Sequence, residues 1–209
     1  MSLRKQKAAI LKLAVLDCAV KLIGKRSWAD MLVDDICSKV KISKVTLFNY
    51  FPTKDEILAY YYRIWCFKRT VELQQKPREG VQGIYFLLDK WADSLEDNPG
   101  VVLGLCGYLA AMSRSAKPFI VKPEEKTMLY ENIKGVENVE IQSLEIMIER
   151  FVLEALAKKE VSKNLPARDL TTLICSIFYG SAITANTGRV SSPKNYLRRN
   201  LDILLKGNQ

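Results

Sequence analysis

VDDICSKVKISKVTLFNYFPTKDEIL, residues 33–58, reads as two short helices joined by a tight turn and followed by the start of a longer one. From about Leu32 to Lys39, the residues Val33, Ile36, Cys37 and Val40 recur at helical spacing and turn inward, with Asp30 available as N-cap. After Lys41 and Ile42, the Ser43 hydroxyl can cap a second helix whose apolar spacing is Leu47, Phe48 and Phe51, and Pro52 stops it. Thr53 then opens a further helix with a capping box, because Glu56 lies three residues on.

Upstream, from Leu3 to about Lys25, Leu11, Val15, Cys18, Ala19, Leu22 and Ile23 form one face of an amphipathic helix. Lys7, Lys12, Lys21 and Lys25 decorate its other faces, Gly24 to Ser27 ends it, and Trp28 packs under the next turn. Three helices, the last two joined by a turn at Lys39 to Ser43, make a helix-turn-helix, in which the second helix of the pair enters the major groove. Its solvent face carries Lys44, Val45, Thr46, Asn49 and Tyr50, a mixture suited to base edges and phosphates. An ordinary polar helix face would look the same.

Charge placement bears on these readings. Met1 to Lys54 holds eleven Lys plus Arg and four Asp plus Glu, a net +7 of the chain's +9, while the remaining 155 residues are nearly balanced. A one-signed N-terminal region on a balanced body is the footprint of a nucleic-acid module, although a basic soluble face would share it. The chain has no histidine, which excludes His-based triads, the His-Glu-x-x-His zinc site and most general-base schemes near neutral pH. No Gly-rich phosphate loop appears. Cys18, Cys37, Cys66, Cys106 and Cys175 lie far apart in apolar runs, so free thiols in a reducing, cytoplasmic setting are expected, with no metal site and no cofactor. Lys12, Asp17 and Lys21 interrupt Leu11 to Ile23, and neither a signal peptide nor a membrane span is expected.

Few glycines and prolines and long helical periods predict an all-α fold throughout. Beyond residue 54, helices are expected at Lys54 to Gln75, Glu79 to Glu96, Pro99 to Arg114, Val136 to Glu160, Pro166 to Asn186 and Pro193 to Leu205, with prolines at helix starts. Ala116 to Gly135 is polar and broken by Pro118 and Pro123, leaving room for one short helix.

The stretch 33–58 is similar to the signature of the TetR-type bacterial regulators, with its Asp-Ile pair, turn serine, Thr-Leu, Tyr-Phe and Lys-x-x-Leu. The likeness extends without a gap back through Val15, Leu16, Cys18, Ala19, Leu22, Ile23, Ser27 and Trp28. It implies about nine helices: a helix-turn-helix DNA-binding domain over 1–53 and an effector-binding and dimerisation domain over 54–209. By the same resemblance Ser43, Lys44, Val45, Thr46, Asn49 and Tyr50 meet DNA, and Lys54 sits on a phosphate. Three positions depart from the pattern. Met31 and Leu32 replace hydroxyls at the start of the second helix, so Asp30 is expected to cap it; Lys41 replaces the turn glycine and adds a candidate phosphate contact; Phe48 replaces a tyrosine and should help hold the helix.

The resemblance implies a ligand-responsive repressor, not an enzyme, whose partners are double-stranded operator DNA, a second copy of the chain and a small-molecule effector, apolar or weakly polar. Gly180, Ser181, Ala182 and Ala185 with Leu197, Leu201 and Leu204 resemble the family's dimer interface, with packing inside one subunit as the alternative. Tyr85, Trp91, Tyr108, Met112, Met147, Phe151 and Phe178 are candidates for an effector pocket, or else plain core. An α-helical enzyme and an adaptor for an acidic protein are the rival functions.

Overall fold

Prolines, serine caps and left-handed turn residues mark the helix ends and cut the chain into ten α-helices among the described residues, against the nine or so expected. The structure, a computed structural model, describes residues 2–112, 119–161, 165–188 and 190–206. Helix α1 (Leu3–Ile23) is followed by a 3-10 turn (Trp28–Asp30), α2 (Val33–Val40), α3 (Lys44–Tyr50) and α4 (Glu56–Gln75). Then come α5 (Gly80–Asp97), α6 (Pro99–Ala111), α7 (Pro123–Leu129), a second 3-10 turn (Val136–Asn138), α8 (Leu144–Ala157), α9 (Ala167–Thr187) and α10 (Pro193–Lys206). The described residues contain no strand, and the fold is all-α.

Several helix ends differ from the sequence expectation. Asp30 does not cap α2; it ends the 3-10 turn, and α2 starts after Leu32 with no side-chain cap, its first turn carrying Asp34 and Asp35 instead. Carboxylates there favour the positive end of the helix dipole. The Thr53–Glu56 capping box does not form either, since α4 starts at Glu56 and the Glu56 amide donates to the Thr53 carbonyl at 3.3 Å. Val136 to Glu160 is not one helix. Lys126 Nζ donates to the carbonyls of Glu137 and Val139, at 3.3 and 2.7 Å, and Thr70 Oγ1 accepts the Gln142 amide at 3.4 Å. These tertiary bonds occupy backbone groups a helix would need, and α8 restarts only at Ser143, whose hydroxyl accepts the Ile146 amide. Between Ala116 and Gly135 one short helix, α7, does occur; the expected last turn of α6 reaches into residues 113–118, outside the described residues.

In the C-terminal part α5 packs on α8 and α10, and α9 packs on the same two helices. Leu87, Leu88, Trp91, Met147, Phe151, Phe178, Leu197 and Leu201 are fully buried there, and each large apolar side chain so removed from water contributes about 1.5–3 kcal/mol. Gly83 permits the approach of α5 to α8, for a Cβ on it would stand 2.3 Å from the Phe151 ring. The small residues of α9 serve the same purpose within one subunit. Ser181, Ala182, Ala185, Leu197 and Leu201 are buried inside the single chain, and Asn200 Nδ2 donates to Ser181 Oγ at 2.9 Å. They make the α9–α10 contact and are not free to face a second copy; Gly180 is exposed and Leu204 half-buried. Small residues signal close helix approach, and that signal is the same whichever chain supplies the other helix.

One apolar cluster runs continuously from α1 to α10. Where α1 meets α7, Lys12 forms a buried ion pair with Glu125, the two residues 7% and 1% exposed. The ammonium also lies 4.5 Å from the Tyr60 ring centre and 4.9 Å from that of Phe119.

Candidate nucleic-acid interface

The turn before α3 depends on an unusual backbone at Lys41, with φ 59° and ψ 49°. A non-glycine residue in this left-handed region costs roughly 1–2 kcal/mol, which the bonds of the Lys41 and Ile42 amides to the Cys37 carbonyl help offset. Ser43 Oγ then accepts the Thr46 amide at 3.1 Å and lies 2.9 Å from the Thr46 hydroxyl, so the expected serine cap forms.

Leu47 anchors α3, fully buried with Ile36 of α2 beneath the turn. Phe51, at its end, is also fully buried, stacked on Phe119 with ring centres 5.6 Å apart. Phe48 does not hold the helix as expected: it is 40% exposed, because it lies one residue past the inward Leu47, on the outer half of the turn. The outer face shows Lys44, Val45 and Asn49 to solvent, with Thr46 and Tyr50 half-buried and Lys41 exposed beside them. Val45 is an apolar side chain left 72% exposed. Lys44 pairs with Asp34 of α2 at 2.9 Å, a contact that raises the pKa of its ammonium. Both side chains are solvated, so a phosphate can take the place of Asp34 at little cost.

Lys54 is placed differently from the others. Its Nζ donates to the carbonyls of Trp28, Ala29 and Met31 at 3.1, 3.3 and 3.2 Å, which engages all three ammonium donors on the 3-10 turn. Next to it, Trp28 Nε1 donates to Asp55 Oδ1 at 2.8 Å. Lys54 and Asp55 thus tie the α1–α2 corner to the start of α4 and hold the frame in which α2 and α3 sit. The motif located Lys54; its bonds to those carbonyls, like the Asp34 and Asp55 contacts, had no signal in the sequence because their partners lie 10 to 27 residues away.

The expected effector residues do not converge on one cavity. Trp91, Met147, Phe151 and Phe178 are fully buried core, with Trp91 Nε1 donating to the Phe178 carbonyl at 2.8 Å. Tyr85 donates its hydroxyl to Asp202, and Met112 is 42% exposed. Tyr108 alone of the seven lines a cleft of about 1210 Å³ between the α1–α2 corner and α6. No helix among the described residues is long and apolar enough to cross a membrane.

Residues 15–61 match the family model of bacterial regulatory proteins, tetR family. The fold is similar to FadR from Bacillus subtilis, solved with stearoyl-CoA, at 14% identity and TM-score 0.61 over 94% of this chain and 99% of that one. Thermus thermophilus FadR, a TetR-family transcriptional repressor solved with lauroyl-CoA, is 16% identical with TM-score 0.63, covering 95% of each chain. A TetR transcriptional regulator from Rhodococcus sp. RHA1 aligns at 15% identity and TM-score 0.60 over 98% of this chain and 100% of that one. No curated protein sequence matches. The buried Leu47 and Phe51, the Ser43 cap and the open face of α3 all fall within the matched residues. Over residues 15–61, which hold α2, α3 and the start of α4, the chain is similar to the tetR family of bacterial regulatory proteins, and its fold over nearly the whole length is similar to that of solved transcriptional regulators.

Proposed function

We propose that the protein is a ligand-responsive repressor, a homodimer that occupies a near-palindromic operator through two copies of α3. A small-molecule effector releases it by favouring a conformer in which the two recognition helices are wrongly spaced. The observation that carries this reading is the outer face of α3, polar and solvent-open around a fully buried Leu47, in the quarter of the chain that holds +7. Thr46, Asn49 and Tyr50 read bases and phosphates; Ser43, Lys44 and Lys41 contact the backbone; Val45 supplies an apolar contact; Lys54 supports them by bracing the 28–31 turn. Twofold pairing sets two such helices about 34 Å apart. Exposed Leu173 and Ile183 on α9, with Gly180 between them and Ile203 on α10, support pairing through the outward faces of these helices. Stearoyl-CoA and lauroyl-CoA, bound in the two FadR structures, are the first effectors to try.

Selection of bound oligonucleotides from a random pool tests the reading directly, and a palindrome supports both readout and dimer. If the dimer neutralises about six to eight phosphates, log affinity falls with log salt at a slope near −5 to −7. A slope near zero overturns the electrostatic argument. Asn49→Ala should relax preference at one base position; an adaptor for an acidic protein would show no such effect.

A further inference from the structure

Between α1 and α4 lies a second cavity of about 460 Å³. Its apolar wall is Leu13, Leu16 and Val20 of α1, Ile64 and Trp65 of α4, and Leu129 of α7. Three charged side chains also line it, and two of them are internally satisfied. Arg69 donates to both carboxylate oxygens of Glu72 at 2.9 and 2.6 Å and lies 5.3 Å from the Trp65 ring centre; Asp17 accepts from Lys21 at 2.7 Å. Lys68 has no ion pair or hydrogen bond to any described residue, and its side chain remains accessible from solvent. Crowding desolvates its ammonium and Arg69 repels it, which outweighs the attraction of Glu72, so its pKa is held below the usual lysine range. The cavity therefore has an apolar wall and one cation whose neighbouring carboxylate, Glu72, is already bonded by Arg69, a place where a further counterion would be welcome.

We propose that this cavity binds a small amphipathic monocarboxylate, its apolar body between α1 and α4 and its carboxylate on Lys68. The volume lies within the ordinary range for ligand sites, about 300–1,000 Å³. A neutral ligand of the same shape leaves Lys68 unpaired, and a dianion has only one free cation to meet. The wall is shared by α1, which carries the DNA-binding corner at its end, and by α4 and α7 beyond it, so occupancy biases how α1 sits on the rest of the chain. That this bias acts on an operator rests on the DNA-binding reading above; binding itself does not.

The test is calorimetric titration of the full chain, without DNA, using 1-naphthaleneacetate and its uncharged amide. The acid should bind the wild type, lose about tenfold in affinity on Lys68→Met, and keep most of it on Lys68→Arg. The amide should bind weakly and equally to wild type and Lys68→Met. Equal affinity of the acid for wild type and Lys68→Met, or no binding of the acid to the wild type, overturns the assignment. Lys68→Met without ligand should bind the selected operator as the wild type does; a loss there would place Lys68 on DNA and also overturn it. Failure to select any operator would overturn the DNA-binding reading and leave the cavity's ligand standing.

Discussion

Alanine placed at two glycines of α6 should act in opposite directions. At Gly100 a Cβ would lie 1.9 Å from the Arg26 carbonyl oxygen and 2.6 Å from Ile23 Cγ2, and the Gly100 amide faces the Gly24 carbonyl at 3.4 Å. Real Cβ atoms essentially never approach closer than 3.0 Å, so the start of α6 and the α1–α2 corner must part by about 1.1 Å, the difference between 3.0 and 1.9. The obstructing atom is backbone and cannot rotate away. Overpacking of this kind costs roughly 1–3 kcal/mol. At Gly107, two turns along the same helix, a Cβ meets nothing within 4 Å, and alanine there should stabilise by about 0.4–1 kcal/mol through the unfolded chain. The two variants should thus differ by roughly 1.5–4 kcal/mol, which for a chain of this length separates their melting temperatures by between roughly 3 and 15 °C. Thermal scans of Gly100→Ala and Gly107→Ala at equal protein concentration measure it, with operator binding as a second readout because the displaced corner carries the Lys54 carbonyl bonds. A Gly100→Ala variant as stable as wild type would refute the steric argument, and so would a Gly107→Ala variant that melts lower.

Ser43→Ala should cost about 1 kcal/mol by removing the acceptor for the Thr46 amide, and should weaken operator binding; an unchanged urea midpoint would exclude the cap as a stabilising bond. Lys12→Met leaves Glu125 buried without its partner and should cost about 3–5 kcal/mol, most of it recovered by adding Glu125→Leu; a double variant as unstable as the single one would count against the pair. Burial pushes the thiols of Cys66 and Cys175 up to about 12 and that of Cys106 up to about 11 from an ordinary 9.0. Below pH ~9 folded and unfolded chains both hold these protons; above it the unfolded chain releases them first, so stability should fall steadily towards pH 11–12, and a urea midpoint that stays flat over that window would contradict the burial.

The N-terminal end, with its helix-turn-helix, was the most legible part because its information is local. A helical period, a serine three residues before a bonded amide and a proline after an aromatic are constraints within ten residues of one another, and local sterics dictate their outcome. The places where reading failed nearby, Asp30 and Thr53, are caps that lost to longer contacts: the corner they border is held by Lys54 and Asp55 reaching back to 28–31. Helix limits in the C-terminal part followed the same rule, good where prolines start helices and poor at 136–143, where Thr70 and Lys126 claim the backbone.

The sequence by itself determined the all-α class, the helix-turn-helix and the inward Leu47 and capping Ser43 of α3, since periodicity, charge and caps are properties of short segments. Only the tertiary structure decided which small residues of α9 and α10 are used up inside one subunit, that Gly100 is a point of backbone contact, and that Lys68 stands beside an apolar cavity with no direct ion pair. Each of these is a relation between segments distant in the chain, and packing, which is set by three-dimensional proximity, leaves no periodic trace in the order of residues.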